Sequence, residues 1–164
     1  MQTEADQPVR YNYQVKRMGP MNKEGLMFDQ ATEFGARVAR RLSEEWIIWL
    51  TTVRADGTPQ PIPVWFVWAD QEFLIYSQPN TQKLRNIAHN PKVALHFDGD
   101  GRGGDIVVFT GQARVDRQAP PADQVAAYIE KYREAIAELE MTPESFARSY
   151  AVAIRVTPTG LRGH

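Results

Sequence analysis

Two rhythms of apolar residues, one returning every three or four positions and one every two, alternate along the chain and predict its elements. From about Gln30 to Glu44, Phe34, Val38 and Leu42 recur every fourth residue with polar residues between them, which predicts a helix capped by Asp29. Trp46 to Val53 is apolar on both alternating sets, with Trp46, Ile48 and Leu50 on one side and Ile47, Trp49 and Thr51 on the other. A strand covered on both faces is expected there. Asp56-Gly57 is a hairpin signal, after which Gln60 to Trp68 returns as a second strand. Pro61 and Pro63 lack N–H donors, which confines that strand to a sheet edge or a bulge. Ala69-Asp70-Gln71 turns the chain into a third strand, Glu72 to Ser77.

A short amphipathic helix follows, capped by Asn80 or Thr81, with Leu84, Ile87 and Ala88 on the face that presses on the core. Asn90-Pro91 ends it, because the residue before proline avoids the helical region. Lys92 to Phe97 and Asp105 to Val115 read as a strand pair across a glycine-rich loop. Pro120-Pro121 opens the longest helix, whose stripe Val125, Tyr128, Ile129, Tyr132, Ile136 and Leu139 runs through Glu140 and is read as a packing face. Thr142-Pro143 starts another short helix, with cap and first-turn proline in favoured places. Val152, Ile154 and Val156 alternate as a last strand, and the tail TPTGLRGH reads as loop. About six mostly antiparallel strands, with helices at the margins and one between middle strands, predict a mainly β protein, a small closed or split β-barrel with flanking helices.

Length and composition fit one domain over residues 30–164, preceded by a polar arm over residues 1–29 that is mobile or wraps a partner subunit. Hydrophobic residues are 43% and charged residues 24%, enough to bury a core. The net charge of -1 supplies no global basic field for nucleic acid or an anionic membrane, so any cationic site must be local. The absence of cysteine excludes disulfides, thiolate catalysis and cysteine-ligated metal, and fits a reducing cytoplasm. No run approaches the roughly 18 apolar residues of a membrane span. His89, His96 and His164 lack metal-ligand spacing, so no metal is expected, and neither H-E-x-x-H nor G-x-S-x-G occurs. His89 is read as a solvated helix residue and His96 as a satisfied interior imidazole. Gly99 to Gly104 literally fits G-x-G-x-x-G, but strand follows strand there and Asp98 and Asp100 bring negative charge to the phosphate position, so a Rossmann site is not expected.

The candidate chemistry lies in SQPNTQKLRNIAHNP, Ser77 to Pro91. A helix start offers unpaired N–H groups and the positive end of the peptide dipole, a ready place for an anion, and Lys83 and Arg85 add full charges. Lys83 and Asn86 share a helix face, whereas Lys83 and Arg85 diverge and can reach one ligand only near the helix end. The same pattern also fits ordinary solvated surface. Trp65, Phe66 and Trp68, at strand spacing, likewise fit core or dimer contacts as well as a cofactor wall.

The segments IIWLTTVRADGTPQ, PIPVWFVW, LIYSQPNTQKLRNIAHNPKVALHF and VVFTGQARV, in that order between Trp46 and Val115, resemble the flavin and deazaflavin oxidoreductases of the pyridoxamine-phosphate-oxidase-like superfamily. The similarity is greatest to the actinobacterial branch that uses coenzyme F420. The resemblance implies a split β-barrel assembled as a homodimer, with two sites at the subunit interface. It implies that Thr81, Lys83, Arg85 and Asn86 bind the cofactor phosphate, and that Val64, Trp65, Tyr76 and Ser77 line the ring. Reduced F420 would pass a hydride to an unsaturated small organic substrate, with the proton coming from water or an unidentified group. FMN is the alternative cofactor, in an oxidase or reductase of the pyridoxamine-phosphate type, and a carrier or sensor that stores flavin or deazaflavin without turnover is the other alternative.

Overall fold

Seven antiparallel strands form one curled sheet with β2 and β3 at its two edges, in a computed structural model that describes residues 27–164. In chain order they are β1 Ile47–Val53, β2 Pro59–Trp65, β3 Val67–Ala69, β4 Glu72–Ser77, β5 Lys92–His96, β6 Val107–Val115 and β7 Val152–Gly163. Their order across the sheet is β2-β1-β5-β6-β7-β4-β3. The edges β2 and β4/β3 approach without pairing, which leaves the barrel split on that side. The expected split β-barrel with flanking helices is therefore the fold. The expected arm lies outside the described residues except for 27–29, and there Phe28 is already buried in the core with Met27 against it.

The hairpin between β1 and β2 turns at Asp56-Gly57, where Gly57 has φ 87° and the Asp56 carboxylate accepts from the Thr58 N–H at 3.0 Å. Pro59, Pro61 and Pro63 alternate along β2, so their missing donors fall on the side that has no neighbouring strand. The expected strand 60–68 is broken at Phe66. Its N–H donates to the Tyr132 hydroxyl at 2.8 Å, and that hydroxyl donates in turn toward the carbonyls of Phe66 (2.8 Å) and Trp46 (2.7 Å). One tyrosine thus takes over backbone groups that a continuous ladder would have used.

Two apolar layers result. Inside the curl, Ile48, Leu50, Phe66, Phe73, Leu95 and Phe109 are fully buried. Outside it, Val67, Leu74, Tyr76 and Ala153 pack against Tyr128, Tyr132, Ile136 and Phe146 of two helices. β1 is covered on one face only: Ile48, Leu50 and Thr52 are buried, whereas Ile47 is exposed and Trp49 and Thr51 are half-buried. On that outer face Trp49 stacks on His96 and donates its indole N–H to Asp98 at 2.9 Å. His96 is accordingly half-buried, while His89 is exposed.

Helix α1, Glu33–Glu44, is capped by Thr32 and not by Asp29. The Thr32 hydroxyl accepts from the Gly35 N–H at 3.0 Å, while Asp29 closes the preceding turn by accepting from Ala31 and Thr32. Helix α2, Gln82–His89, has the expected boundaries, but it buries Asn86 and Ile87 and leaves Ala88 exposed. Helix α3, Ala126–Glu138, starts later than Pro120-Pro121. Pro121 is extended (ψ 154°), and a single 3-10 turn, Ala122–Gln124, separates it from the helix. Leu139, expected on the packing stripe, is half exposed just beyond the helix end. Helix α4, Pro143–Ser149, carries a complete Thr142–Ser145 capping box.

The tail is strand, not loop. Residues 157–163 complete β7 against β6 across a bulge at Thr110/Gly111. Pro158 sits opposite Gly111 at that irregularity, where a missing N–H breaks no regular ladder, and a Cβ at Gly111 would come within 2.7 Å of the Thr157 carbonyl. The glycine-rich loop joins β5 to β6 with no helix after it, and the N–H groups of Arg102 and Gly104 are taken by the Asp100 carboxylate.

Candidate functional site

β4 delivers the chain to the split, and α2 leaves from its edge. Gln78 and Pro79 follow the strand, Asn80 comes next at φ 62°, a conformation asparagine tolerates, and Thr81 then opens the helix. Thr81 takes the N-cap position without making the cap bond. Its hydroxyl instead meets that of Ser77 at 3.1 Å, so no side chain caps the start of α2.

Two cavities meet at this corner. The first, about 400 Å³, lies in the split between β2 and β4 and is lined by Ile62, Val64, Trp65, Tyr76, Gln78, Thr81 and Lys83. Its far wall is Tyr128, Leu139, Phe146 and Tyr150, from α3, α4 and the residues that end them. The second, about 460 Å³, is bordered by Thr52, Gln60, Gln82 and the prolines of β2. Ile62, Thr81 and Lys83 belong to both linings. A cleft walled largely by aromatic rings therefore adjoins one walled by prolines and by amide and hydroxyl side chains, and Lys83 borders both.

The aromatic wall is ordered. Tyr132, Trp65, Phe146 and Tyr150 form a ladder of nearly parallel rings, with successive centroids 4.6, 5.6 and 4.4 Å apart and interplanar angles of 2°, 18° and 13°. Such a wall suits a planar ring, which exchanges little rotamer freedom for a large contact area. Tyr76 is held beside it by a 2.6 Å bond from its hydroxyl to the Pro120 carbonyl, and burial pushes its phenol up to about 12, so it stays neutral.

Lys83 is the charge of the site. Burial holds its ammonium below the ordinary lysine value, and among the described residues no carboxylate or carbonyl pairs with it. Lys83 is half-buried where the two cavities adjoin, so its ammonium keeps contact with solvent and can take up an anion there.

Of the eight residues singled out in the sequence, five border the cavities: Val64, Trp65, Tyr76, Thr81 and Lys83. The other three stand behind them. Ser77 is 1% exposed and spends its hydroxyl on the Gln78 carbonyl and on Thr81. Asn86 is 2% exposed; its amide donates to Thr52 at 2.9 Å and toward Gln60 at 3.4 Å, and it accepts from Gln82 at 2.7 Å. Arg85 is exposed and folds back onto the Asn80 carbonyl (2.6 Å) and Gln82 (2.8 Å). Asn86 is thus a strut tying α2 to β1 and β2, and Arg85 a clasp on the turn before the helix. Gln60, Tyr128, Phe146 and Tyr150 were not singled out as site residues. The periodicity that places Tyr128 on a packing stripe carries no sign that one end of that packing is open, and Phe146 and Tyr150 fall in a short helix and its end that carry no such stripe.

A larger cavity, about 950 Å³, lies on the other side of Tyr76 and is bordered by Asp116, Arg117, Asp123, Glu144 and Arg148. Its charges are mixed, and Asp116 is already paired with Arg155 at 2.7 Å. Among the described residues, no group of three His, Asp or Glu side chains is placed to hold a metal, and no helix is long and apolar enough to cross a membrane.

A family model described as pyridoxamine 5'-phosphate oxidase matches residues 34–164. Among solved structures, an F420 reductase is 25% identical, the match covering 74% of this chain and 93% of that one with a TM-score of 0.56. An FAD-binding protein from Mesorhizobium loti is 19% identical over 75% of this chain and 88% of its own, with a TM-score of 0.56. The heme storage protein HutZ from Vibrio cholerae is 14% identical over 80% and 98%, with a TM-score of 0.55. The last two likenesses are of fold. No curated protein matches the sequence.

Proposed function

The chain belongs to the pyridoxamine 5'-phosphate oxidase family, and on that premise we propose that it is an oxidoreductase which binds a phosphorylated tricyclic redox cofactor, coenzyme F420, in the split of its barrel. The observation that carries this reading is Lys83, half-buried and without an ion-pair partner among the described residues, where an aromatic-walled cleft adjoins a second one. A ligand with a flat ring and an anionic tail satisfies both chambers at once. An apolar ligand would leave the ammonium uncompensated, and a bare anion would leave the aromatic chamber to water.

In this proposal Lys83 and the uncapped N–H groups of α2 hold the phosphate, helped by Thr81 and by the Gln60 amide that Asn86 orients. Arg85 and Ser77 act through the turn that sets the helix start, and Val64, Trp65 and Tyr76 receive the ring. When bound and reduced, the deazaflavin supplies a hydride to an unsaturated small organic substrate. The residues of the chamber exclude water from the ring face and fix its orientation. No carboxylate or imidazole borders the aromatic chamber, and in this proposal the proton comes from water or an unidentified group. The resemblance to the F420-using branch and the 25% identity to an F420 reductase favour the deazaflavin. FMN, gripped by the same lysine, is the second reading, supported by the family and by the fold shared with an FAD-binding protein. We further propose a homodimer with a site at each end of the subunit interface, acting in the cytoplasm. Exposed Trp46, Ile47 and Ile62 on and beside the β1–β2 edge supply an apolar patch for a second copy to cover.

Fluorescence titration of the apoprotein with F420, FMN and riboflavin tests the assignment. F420 and FMN should bind, F420 more tightly, and riboflavin, which lacks the phosphate, should bind about 10- to 100-fold more weakly than FMN. Tight FMN binding without F420 binding would overturn the cofactor assignment. Turnover of quinones and nitro compounds with reduced cofactor separates an enzyme from a carrier.

A further inference from the structure

β2 is an edge strand with a proline at every second position, Pro59, Pro61 and Pro63. In an antiparallel ladder each residue turns its N–H and C=O to the same side, and successive residues alternate between the partner strand and the side away from it. The prolines stand opposite Val53, Thr51 and Trp49 of β1, and having no N–H they take the positions that do not bond to β1. Their carbonyls therefore point away from β1, along the open edge. That edge offers acceptors at Pro59, Pro61 and Pro63, and its first N–H comes only at Trp65. The two clefts run along this edge and not over a face of the strand. Gln60 and Ile62 turn their side chains to one face, Pro61 and Pro63 to the other, and each cleft is bordered by residues of both sets. Only the edge meets both sets at once. All three prolines are exposed.

We infer that the proline edge of β2 is a specificity-determining surface that selects a hydrogen-bond-donating linker: the chain joining ring to phosphate carries hydroxyl groups, and these donate to the carbonyls of Pro61 and Pro63. The inference rests on the ring and phosphate site proposed above and adds the chemistry of the part between them. Pro63 borders the aromatic cleft beside Trp65, and Pro61 the second cleft beside Gln60. Carbonyls on one side of a strand recur about every 7 Å, so a short polyol lying along β2 passes both. A hydrocarbon linker strips water from these carbonyls and returns nothing, and an ether linker, which only accepts, sets oxygen against oxygen. The same prolines deny an incoming strand the N–H groups it would pair with, which keeps the edge free for a small ligand.

The test is a set of dissociation constants for three flavins that share one ring and lack the phosphate, measured on the full chain. They are riboflavin, an analogue whose side chain is plain pentyl, and one whose side chain of equal length carries two ether oxygens. Riboflavin should bind about 5- to 30-fold more tightly than the pentyl analogue, and the ether analogue should bind no better than the pentyl one. Pro61→Ala with Pro63→Ala returns two N–H groups to the edge, and should tighten the ether analogue about 3- to 10-fold relative to the pentyl one. A pentyl analogue that binds as tightly as riboflavin, the order burial alone would set, overturns the inference. So does a double variant that leaves the ratio of ether to pentyl binding unchanged. If the three flavins bind alike and Trp65→Ala weakens all of them, the ring site stands and the role of the β2 edge falls. If the wild-type chain binds none of them and neither FMN nor F420, both readings fall.

Discussion

Arg41 is drawn fully into the fold and Lys83 by half, and the protein treats the two cations in opposite ways. Arg41, on the inner face of α1, is 4% exposed, and each part of its guanidinium is engaged. It meets Glu45 at 3.0 Å, the carbonyl and carboxylate of Asp105 at 3.0 and 3.1 Å, and the Asp98 carbonyl at 2.6 Å, while its plane lies over the Phe97 ring at 4.9 Å. That knot fastens α1 to both ends of the loop between β5 and β6, and it holds Asp105 at φ 55°. Lys83, at the start of α2, has neither a carboxylate nor a carbonyl among the described residues. A buried cation whose donors are all satisfied belongs to the architecture, whereas a half-buried one left without an ion-pair partner beside a cavity is open to the ligand proposed above.

Substitution should separate the two. Arg41→Ala should cost the largest stability, about 2–3 kcal/mol in urea unfolding, somewhat below a fully buried pair because its carboxylate partners are about a third exposed. Cofactor affinity of the folded fraction should be unchanged. Lys83→Ala should do the reverse, weakening FMN or F420 by about 1.5–3 kcal/mol with apoprotein stability unchanged or slightly raised. A Lys83→Ala protein that unfolds early and binds normally would erase the distinction.

Thr142→Ala sharpens the comparison from the aromatic side. Removing the capping box of α4 should cost about 1 kcal/mol of stability, seen as a lowered urea midpoint. Ring binding should weaken modestly with it, because α4 carries Phe146 and leads into Tyr150.

Lys131 stands between the two cations: its ammonium donates to the Phe66 carbonyl at 3.2 Å and lies 3.9 Å from the centre of the Phe66 ring, and burial lowers it to about 8. Its folded-state value is below the unfolded value of 10.5, so between those two pH values the unfolded chain holds more protons. Stability should therefore rise as pH is raised through that window, the unfavourable burial of charge being relieved. Lys131→Met should flatten the slope. Lys83, shifted in the same direction, should add a smaller rise of its own while anion binding declines as its ammonium deprotonates.

Much of the site was legible because its two carriers are local in sequence. The run Glu72–Ser77 is bounded by turns on both sides, and α2 has one apolar stripe, so strand, helix and the place of Lys83 followed from pattern. Trp65, which the resemblance implies as a wall of the ring site, borders the smaller cavity. What pattern could not reach was non-local. Lys83 and Asn86 do share a side of α2, but β1 and β2 run beneath one edge of it, so Thr52 and Gln60 claim Asn86 while Lys83 clears the sheet. The tail 157–163, with its proline, threonines and glycines, has the composition of a loop and is strand only because β6 offers it a partner and a bulge. Tyr128 is a periodic core residue in sequence, and only the gap between β2 and β4 turns its packed face into a wall.

A structure of the complex with F420 or FMN tests the central claim most directly. The account predicts the phosphate within ion-pair distance of the Lys83 ammonium, at the start of α2, and the ring in the chamber between Trp65, Tyr76 and Tyr150. A ligand seated instead in the larger cavity beyond Tyr76, with Lys83 still unpaired, would contradict it.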